Sequence, residues 1–323
     1  MSIADLRALC ERLRAGKGIA HKTDIALAYR SLAPTAEPYR LGDDCAAVPD
    51  GDGYLLFAIE GLLDEFVQRE PWFAGYCAVL VNISDVTAMG GRATAIVDAL
   101  WTADHERGAA MFAGMRAAAD AYGVPIVGGH TNARSDSDRL AVAVLGRAQR
   151  LLTSFDARPG DALLAAIDLR GAYFEPYPYW NCSTEAPPER LREDLAVLSD
   201  LAADGLCAAA KDISMGGILG TLLMLMECSG IGATVELNQI PIPPRVELER
   251  WLVSFPSYGY LLAVAPQHVA AVAQRFAQRG IACAAFGVCT PGTALTVQQA
   301  GVSESFWDLR ERALTGAPIC AAT

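Results

Sequence analysis

Apolar residues recur at helical spacing in the opening "SIADLRALCERLRA", where Ile3, Leu6, Leu9 and Leu13 share a face, so the chain opens with an amphipathic helix. "GKGIAHKTDI" breaks that period and reads as a Gly- and Lys-containing loop. "YRLGDDCAAVPDGDGYLLFAIEG" reads as two strands around a turn at "PDGDG". A long apolar helix follows in "EPWFAGYCAVLVNISDVTAMGG", opening at Pro71 and stopping at Gly90 and Gly91. "RATAIVDALW" is a strand, and "ERGAAMFAGMRAAADAYG" is an Ala-rich helix ending at Gly123. "VPIVGG" and "RLAVAVLGRA" are short β-rich runs.

The turn Arg158-Pro159-Gly160-Asp161 precedes a new apolar strand, which places a domain boundary near residue 150. Residues 171–190 hold four prolines and several aromatics and read as a loop, either a substrate lid or a packed surface loop. A helix is predicted at 190–204. "CAAAKDISMGGILGTLLMLMECSG" then repeats an earlier pattern: a carboxylate, a serine two residues on, two glycines and an apolar helix. Strand and helix alternate to the end. The pattern predicts an α+β protein of two domains, residues 1–150 and 151–323.

With 323 residues and 52% apolar content, two cores of ordinary size are available. No apolar run reaches about 18 residues, which argues against a membrane span. The start "MSIADLRALCERL" lacks the apolar stretch of a signal peptide. Nine cysteines without a C-x-x-C pair read as reduced thiols, and the expected location is the cytoplasm. A net charge of −11 without a Lys/Arg block argues against a nucleic-acid partner. It leaves room for an anionic small-molecule substrate if a metal ion mediates.

The phosphate-binding P-loop, the dinucleotide fingerprint G-x-G-x-x-G and the G-x-S-x-G elbow are all absent. What remains is acid beside glycine: Asp43 and Asp44 in "LGDDCAAV", Glu60 in "AIEG", Asp85 in "NISDVTAMGG", Gly128-Gly129-His130 in "VGGHTN", and Asp212 in "KDISMGG". Asn82 and Asp85 lie three residues apart, hence on one helix face, although both are poor helix-interior residues. An acid in an apolar helix is costly unless paired or bound to metal. Carboxylates that converge repel one another unless a cation sits among them. Magnesium suits such a site because it takes oxygen ligands and keeps positions open for phosphate. Taken alone, each cluster also fits a turn or a helix end.

"LGDDCAAV", "PWFAGYCAVLVNISDVTAMGGRA", "VGGHTN", "RPGDALL", "AAKDISMGGILGTL", "IPIP", "SYGYLLAV" and "FGVCTPG" occur in that order. The set resembles the superfamily of aminoimidazole ribonucleotide synthetase, thiamine-monophosphate kinase, selenophosphate synthetase and the hydrogenase-maturation carbamoyl dehydratase. Within it, the chain is similar to the AIR synthase-related group. The resemblance implies an AIR-synthase-like fold whose N-terminal sheets pair across a homodimer, with ATP phosphates facing magnesium and acidic residues. It implies metal ligation by Asp43, Asp44, Glu60, Asp85 and Asp212, and cofactor contacts from Gly42, Asn82, Gly128, Gly129 and His130. Lys22 and Asp85 carry the implied catalytic roles, with Lys22 as a phosphate clamp, although Lys22 also fits a flexible surface position. Glu60 stands where kinase-like members have Asp, and His130 where an acid is expected. The thiamine-phosphate signature V-E-G-V-H-F is missing.

The implied activity is ATP- and Mg2+-dependent phosphorylation of an oxygen on a small-molecule substrate. The alternatives are ATP-dependent dehydration of a carboxamide-like group and a non-catalytic nucleotide-binding subunit. Under dehydration, Cys320 in the final "TGAPICAAT" would act as a carrier thiol.

Overall fold

The computed structural model describes residues 2–32 and 39–317. In chain order, α1 (Ile3–Arg14), α2 (Lys17–Thr23) and α3 (Ile25–Ser31) lead to β1 (Ala46–Asp50), β2 (Gly53–Gly61) and α4 (Asp64–Arg69). Next come α5 (Pro71–Ala88), β3 (Arg92–Trp101), α6 (His105–Tyr122), β4 (Ile126–Asn132) and β5 (Arg139–Ala148). The remainder is β6 (Ala162–Ile167), β7 (Ala172–Phe174), β8 (Tyr179–Asn181), α7 (Pro188–Ala203), β9 (Ala209–Asp212), α8 (Gly217–Ser229) and β10 (Gly232–Glu236). It closes with α9 (Leu248–Leu252), β11 (Phe255–Pro256), β12 (Gly259–Val264), α10 (Val269–Gln278), β13 (Ala282–Thr290), β14 (Ala294–Gln299) and β15 (Val302–Asp308).

These elements form two compact units. One holds residues 44–151 and 184–200; the other holds 1–43, 152–183 and 201–323. Relative to the expected halves 1–150 and 151–323, the first 43 residues and the segment carrying most of α7 therefore change sides. Side chains explain the second exchange: Arg192 of α7 donates to the Ala121 carbonyl at 3.2 Å, and Arg92 pairs with Asp200 at 3.4 Å. The architecture is mixed α+β in two domains with separate sheets.

The 44–151 unit is built on a five-stranded sheet in the order β1-β2-β5-β3-β4, antiparallel except for the β3–β4 pair. Its β1–β2 hairpin turns at Gly51 (φ +64°) and Asp52, inside the predicted "PDGDG". Helix α5 lies on this sheet and is buried nearly all round, which its almost unbroken apolar sequence requires. Its tightest partner is α6. A Cβ at Gly75 would overlap the Met111 carbonyl oxygen, and one at Gly114 would overlap that of Trp72. Glycine lets the two helix backbones approach where any side chain would hold them apart.

The sheet's other face stays open. Phe57 and Leu145 stand opposite each other, as do Ile59 and Ala143, and Ala143 and Val97. Phe57, Ile59, Val97 and Leu145 are each at least 40% exposed.

The second unit centres on a seven-stranded sheet, β15-β14-β10-β13-β6-β12-β9, with a small sheet β11-β8-β7 beside it. Its core joins α1, α8 (including Leu222) and buried strand residues such as Leu163, Leu261 and Phe286.

Two predicted loops have regular structure. "GKGIAHKTDI" is not a loop: it forms α2 and the start of α3. Gly18 explains why, since a Cβ there would overlap the Met215 carbonyl, so α2 seats against the start of α8. Residues 171–190 contain the β7–β8 pair and the start of α7. There Tyr177 stacks on Tyr179 with ring centroids 5.3 Å apart, and the Arg250 guanidinium lies 3.6 Å above the Tyr173 ring while pairing with Glu175 at 2.8 Å. The Cys320 carrier idea falls outside the described residues. Among the described residues no helix is long and apolar enough to cross a membrane.

Candidate metal and nucleotide site

Helix α5 brings Asn82, Ser84, Asp85 and Thr87 into the interior of its unit; Gly90, at φ +73°, follows its end. Asp85 is 7% exposed and Asn82 is fully buried. Asn82 Nδ2 donates to the Ala78 carbonyl at 2.8 Å, and its Oδ1 has no hydrogen-bond partner. Asp44, half-buried in the same unit, offers a carboxylate oxygen within 4.8 Å of one from Asp85. Two carboxylates at that separation repel each other through low-dielectric surroundings, and a divalent cation relieves the repulsion. The donors are all oxygen, and one buried amide oxygen lies one helical turn from Asp85. That set fits magnesium, which takes hard oxygen ligands.

The other predicted residues separate into groups. Asp43 holds the chain: its Oδ2 accepts from the Ser154 amide at 2.9 Å and its Oδ1 from the Ser154 hydroxyl at 2.7 Å. Glu60 is exposed at the end of β2. Neither of them, nor His130, joins a metal-type cluster among the described residues. Gly128, Gly129 and His130 lie on the exposed edge strand β4, and the His130 ring stands 6.2 Å from that of Trp101. Asp212 ends β9 in the other unit, 5% exposed and opposite Tyr260 of β12. Gly42, at φ +124°, is a tight turn: a Cβ there would lie 2.9 Å from Cys228 Sγ and 3.0 Å from the Tyr29 hydroxyl. Lys22 sits in the last turn of α2, and its Cγ lies 3.6 Å from where a Cβ at Gly216 would stand. The ordered helix therefore delivers this lysine to the start of α8, four residues beyond Asp212.

One further acid lies outside these motifs. Asp98 of β3 faces Gly129 of β4, and a Cβ at 129 would overlap its carboxylate. Burial pushes the Asp98 carboxyl pKa above its ordinary value, and its Oδ1 has no hydrogen-bond partner. The signal was present in "TAIVDALW", where one acid interrupts an apolar strand.

A buried acid on a helix laid over a mixed sheet, joined in one chain to a second α+β unit, defines a two-domain α+β protein with two carboxylates close enough to share a cation. Comparison with known proteins gives the family. Residues 42–148 match the AIR synthase related protein N-terminal domain, and residues 171–299 match its C-terminal domain. Over 304 residues the chain is 48% identical to the uncharacterized protein sll0787 of Synechocystis sp., covering 93% of this chain and 94% of that one. It is 28% identical over 225 residues to a thiamine-monophosphate kinase of Methanospirillum hungatei, covering 68% and 76%. The chain belongs to the AIR synthase-related family.

Solved structures agree on the fold. The structure of AaThiL complexed with AMPPCP and TMP superposes with a TM-score of 0.66 at 18% identity, covering 88% of this chain and 96% of that one. T. maritima PurL complexed with ATP superposes at 0.73 and 20% identity over 94% of this chain, which spans half of PurL's length.

Proposed function

We propose that this protein is an ATP- and Mg2+-dependent enzyme that activates an oxygen of a small-molecule substrate by phosphorylation. The observation that carries the reading is Asp85, a carboxylate buried in an apolar helix with Asp44 within 4.8 Å. Two carboxylates this close are what a divalent cation binds. The named relative that is a thiamine-monophosphate kinase, and the AMPPCP and ATP in the similar structures, support nucleotide chemistry.

In this reading Asp44 and Asp85 hold magnesium. The ion, when bound, neutralises charge on the nucleotide phosphates. Asn82 presents its unsatisfied Oδ1 as an acceptor toward the ion's shell. Lys22 approaches the phosphates as a point charge with three donors. The Gly128-Gly129 stretch of β4 offers backbone amides at close range. Asp43 positions the loop that carries Asp44. The exposed apolar face of the five-stranded sheet is the surface through which two copies pair as a homodimer.

The test is turnover. Purified protein is incubated with ATP and magnesium across a panel of small amides, amines, alcohols and phosphate esters, with and without chelator. Chelator-sensitive ADP or phosphate release that depends on one substrate class supports the reading. Tight nucleotide binding without turnover on any member removes the enzymatic claim.

A further inference from the structure

The last turn of α8 carries three consecutive polar residues, Glu227, Cys228 and Ser229, at the end of an apolar helix, and all three are buried. Each side chain grips a different stretch of the same unit. Ser229 Oγ donates to the Ser154 carbonyl at 2.7 Å and accepts from the Ala157 amide at 3.1 Å, and Ser154 in turn holds Asp43. Cys228 Sγ donates to the Gly42 carbonyl at 3.2 Å.

Glu227 is 1% exposed and receives four donors from one turn. Its Oε1 accepts from the Leu314 amide at 2.8 Å and from the Gly316 amide at 3.3 Å. Its Oε2 accepts from the Thr315 amide at 2.8 Å and from the Thr315 hydroxyl at 2.5 Å. Charge-assisted bonds of this kind are what make burial of a carboxylate affordable.

The clamp reaches the acidic loop directly. Ala317, just past the clamped turn, packs on Gly42: a Cβ at residue 42 would lie 3.5 Å from the Ala317 Cβ. Tyr29 closes the other side, with its hydroxyl 3.0 Å from that same point. Burial pushes the Tyr29 phenol up to about 12; Cys228 adds to the shift, Lys211 opposes it, and Glu227 and Asp43 add further. The fully buried Lys211 ammonium therefore belongs to the same electrostatic neighbourhood as the two carboxylates.

We propose that Glu227 is a positioning residue for the metal–nucleotide site: by clamping the 314–316 turn it fixes Gly42 and Asp43, and so sets how the next residue, Asp44, presents its carboxylate. This inference rests on Asp44 being a metal ligand, as stated under the proposed function. A carboxylate is needed at 227 because all four partners are donors. An amide of the same shape would turn N–H against at least one of them.

The experiment measures Mn2+ affinity of the full chain by the electron paramagnetic resonance of free Mn2+, without nucleotide, beside the thermal midpoint of each variant. E227Q is expected to raise the Mn2+ dissociation constant at least tenfold, T315A about threefold to tenfold, and T315S, which restores the hydroxyl, less than twofold. F276L in the α10 core serves as a control that lowers the midpoint without touching the clamp, and its Mn2+ affinity stays at the wild-type value. T315A carries the test should E227Q not fold. The clamp is overturned if D44N abolishes Mn2+ binding while folded E227Q and T315A bind as wild type. It is equally overturned if F276L weakens binding as much as T315A at equal loss of midpoint. If D44N itself binds Mn2+ like wild type, the underlying reading of Asp44 fails, and the clamp's role in metal binding fails with it.

Discussion

Asp85→Asn separates a metal ligand from a structural acid by the sign of its effect on stability. The substitution keeps shape and removes one negative charge. With Asp44 and Asp85 oxygens within 4.8 Å, two full charges at an effective dielectric near 20 repel by about 3 kcal/mol. Asp44 is half-buried, so solvent screening brings the gain on removing one charge to roughly 1–2 kcal/mol. The metal-free variant should therefore melt a few degrees above metal-free wild type. Saturating Mg2+ or Mn2+ should raise the wild-type midpoint, since a ligand at about 100 times its dissociation constant adds roughly 2.7 kcal/mol. The variant should show little of that rise. Differential scanning calorimetry with chelator and with metal gives all four values. A variant that melts lower than wild type in chelator, yet keeps the full metal-dependent rise, would show that Asp85 serves the fold and that the metal assignment is wrong.

Gly114→Ala should lower stability by about 2–4 kcal/mol, because a Cβ there overlaps the Trp72 carbonyl and forces α5 and α6 apart; a denaturant midpoint no lower than wild type would contradict this. Ile59→Asp, placed on the open sheet face where Ile59 is 64% exposed, should leave the monomer folded and shift sedimentation from dimer to monomer; a wild type already monomeric at micromolar concentration removes the pairing idea. Burial pushes Cys207, Cys283 and Cys289 each up to about 12 from 9.0. Because the folded thiols hold their protons while unfolded ones lose them, their contribution to stability is intact below about pH 9 and falls as pH rises from 9 toward 12; stability that is flat across pH 9–11 would count against it.

The parts of the fold legible in the sequence were those governed by local period. Helix α5 from Pro71 to its glycine stop, the β1–β2 hairpin and the glycine end of α6 follow from spacing and turn chemistry. Asp85 was legible because a charge inside an apolar helix conflicts with its surroundings. The parts that were not legible depend on residues far apart in the chain. Gly18 looked like loop punctuation because the surface it seats against is nearly two hundred residues away. Asp43 and Asp44 are equivalent as sequence; only the approach of Ser154, 111 residues on, occupies the first and leaves the second beside Asp85. Asp98 is not legible because no motif contains it; what marks it is its carboxylate packed against Gly129.

Calorimetric titration of the purified protein with a non-hydrolysable ATP analogue, in magnesium and again in chelator, tests the central claim most directly. The account predicts saturable binding in magnesium that weakens at least tenfold in chelator and is lost to a similar degree in Asp85→Asn even when magnesium is present. Equal affinity with and without magnesium, or Asp85→Asn binding as tightly as wild type, would contradict it.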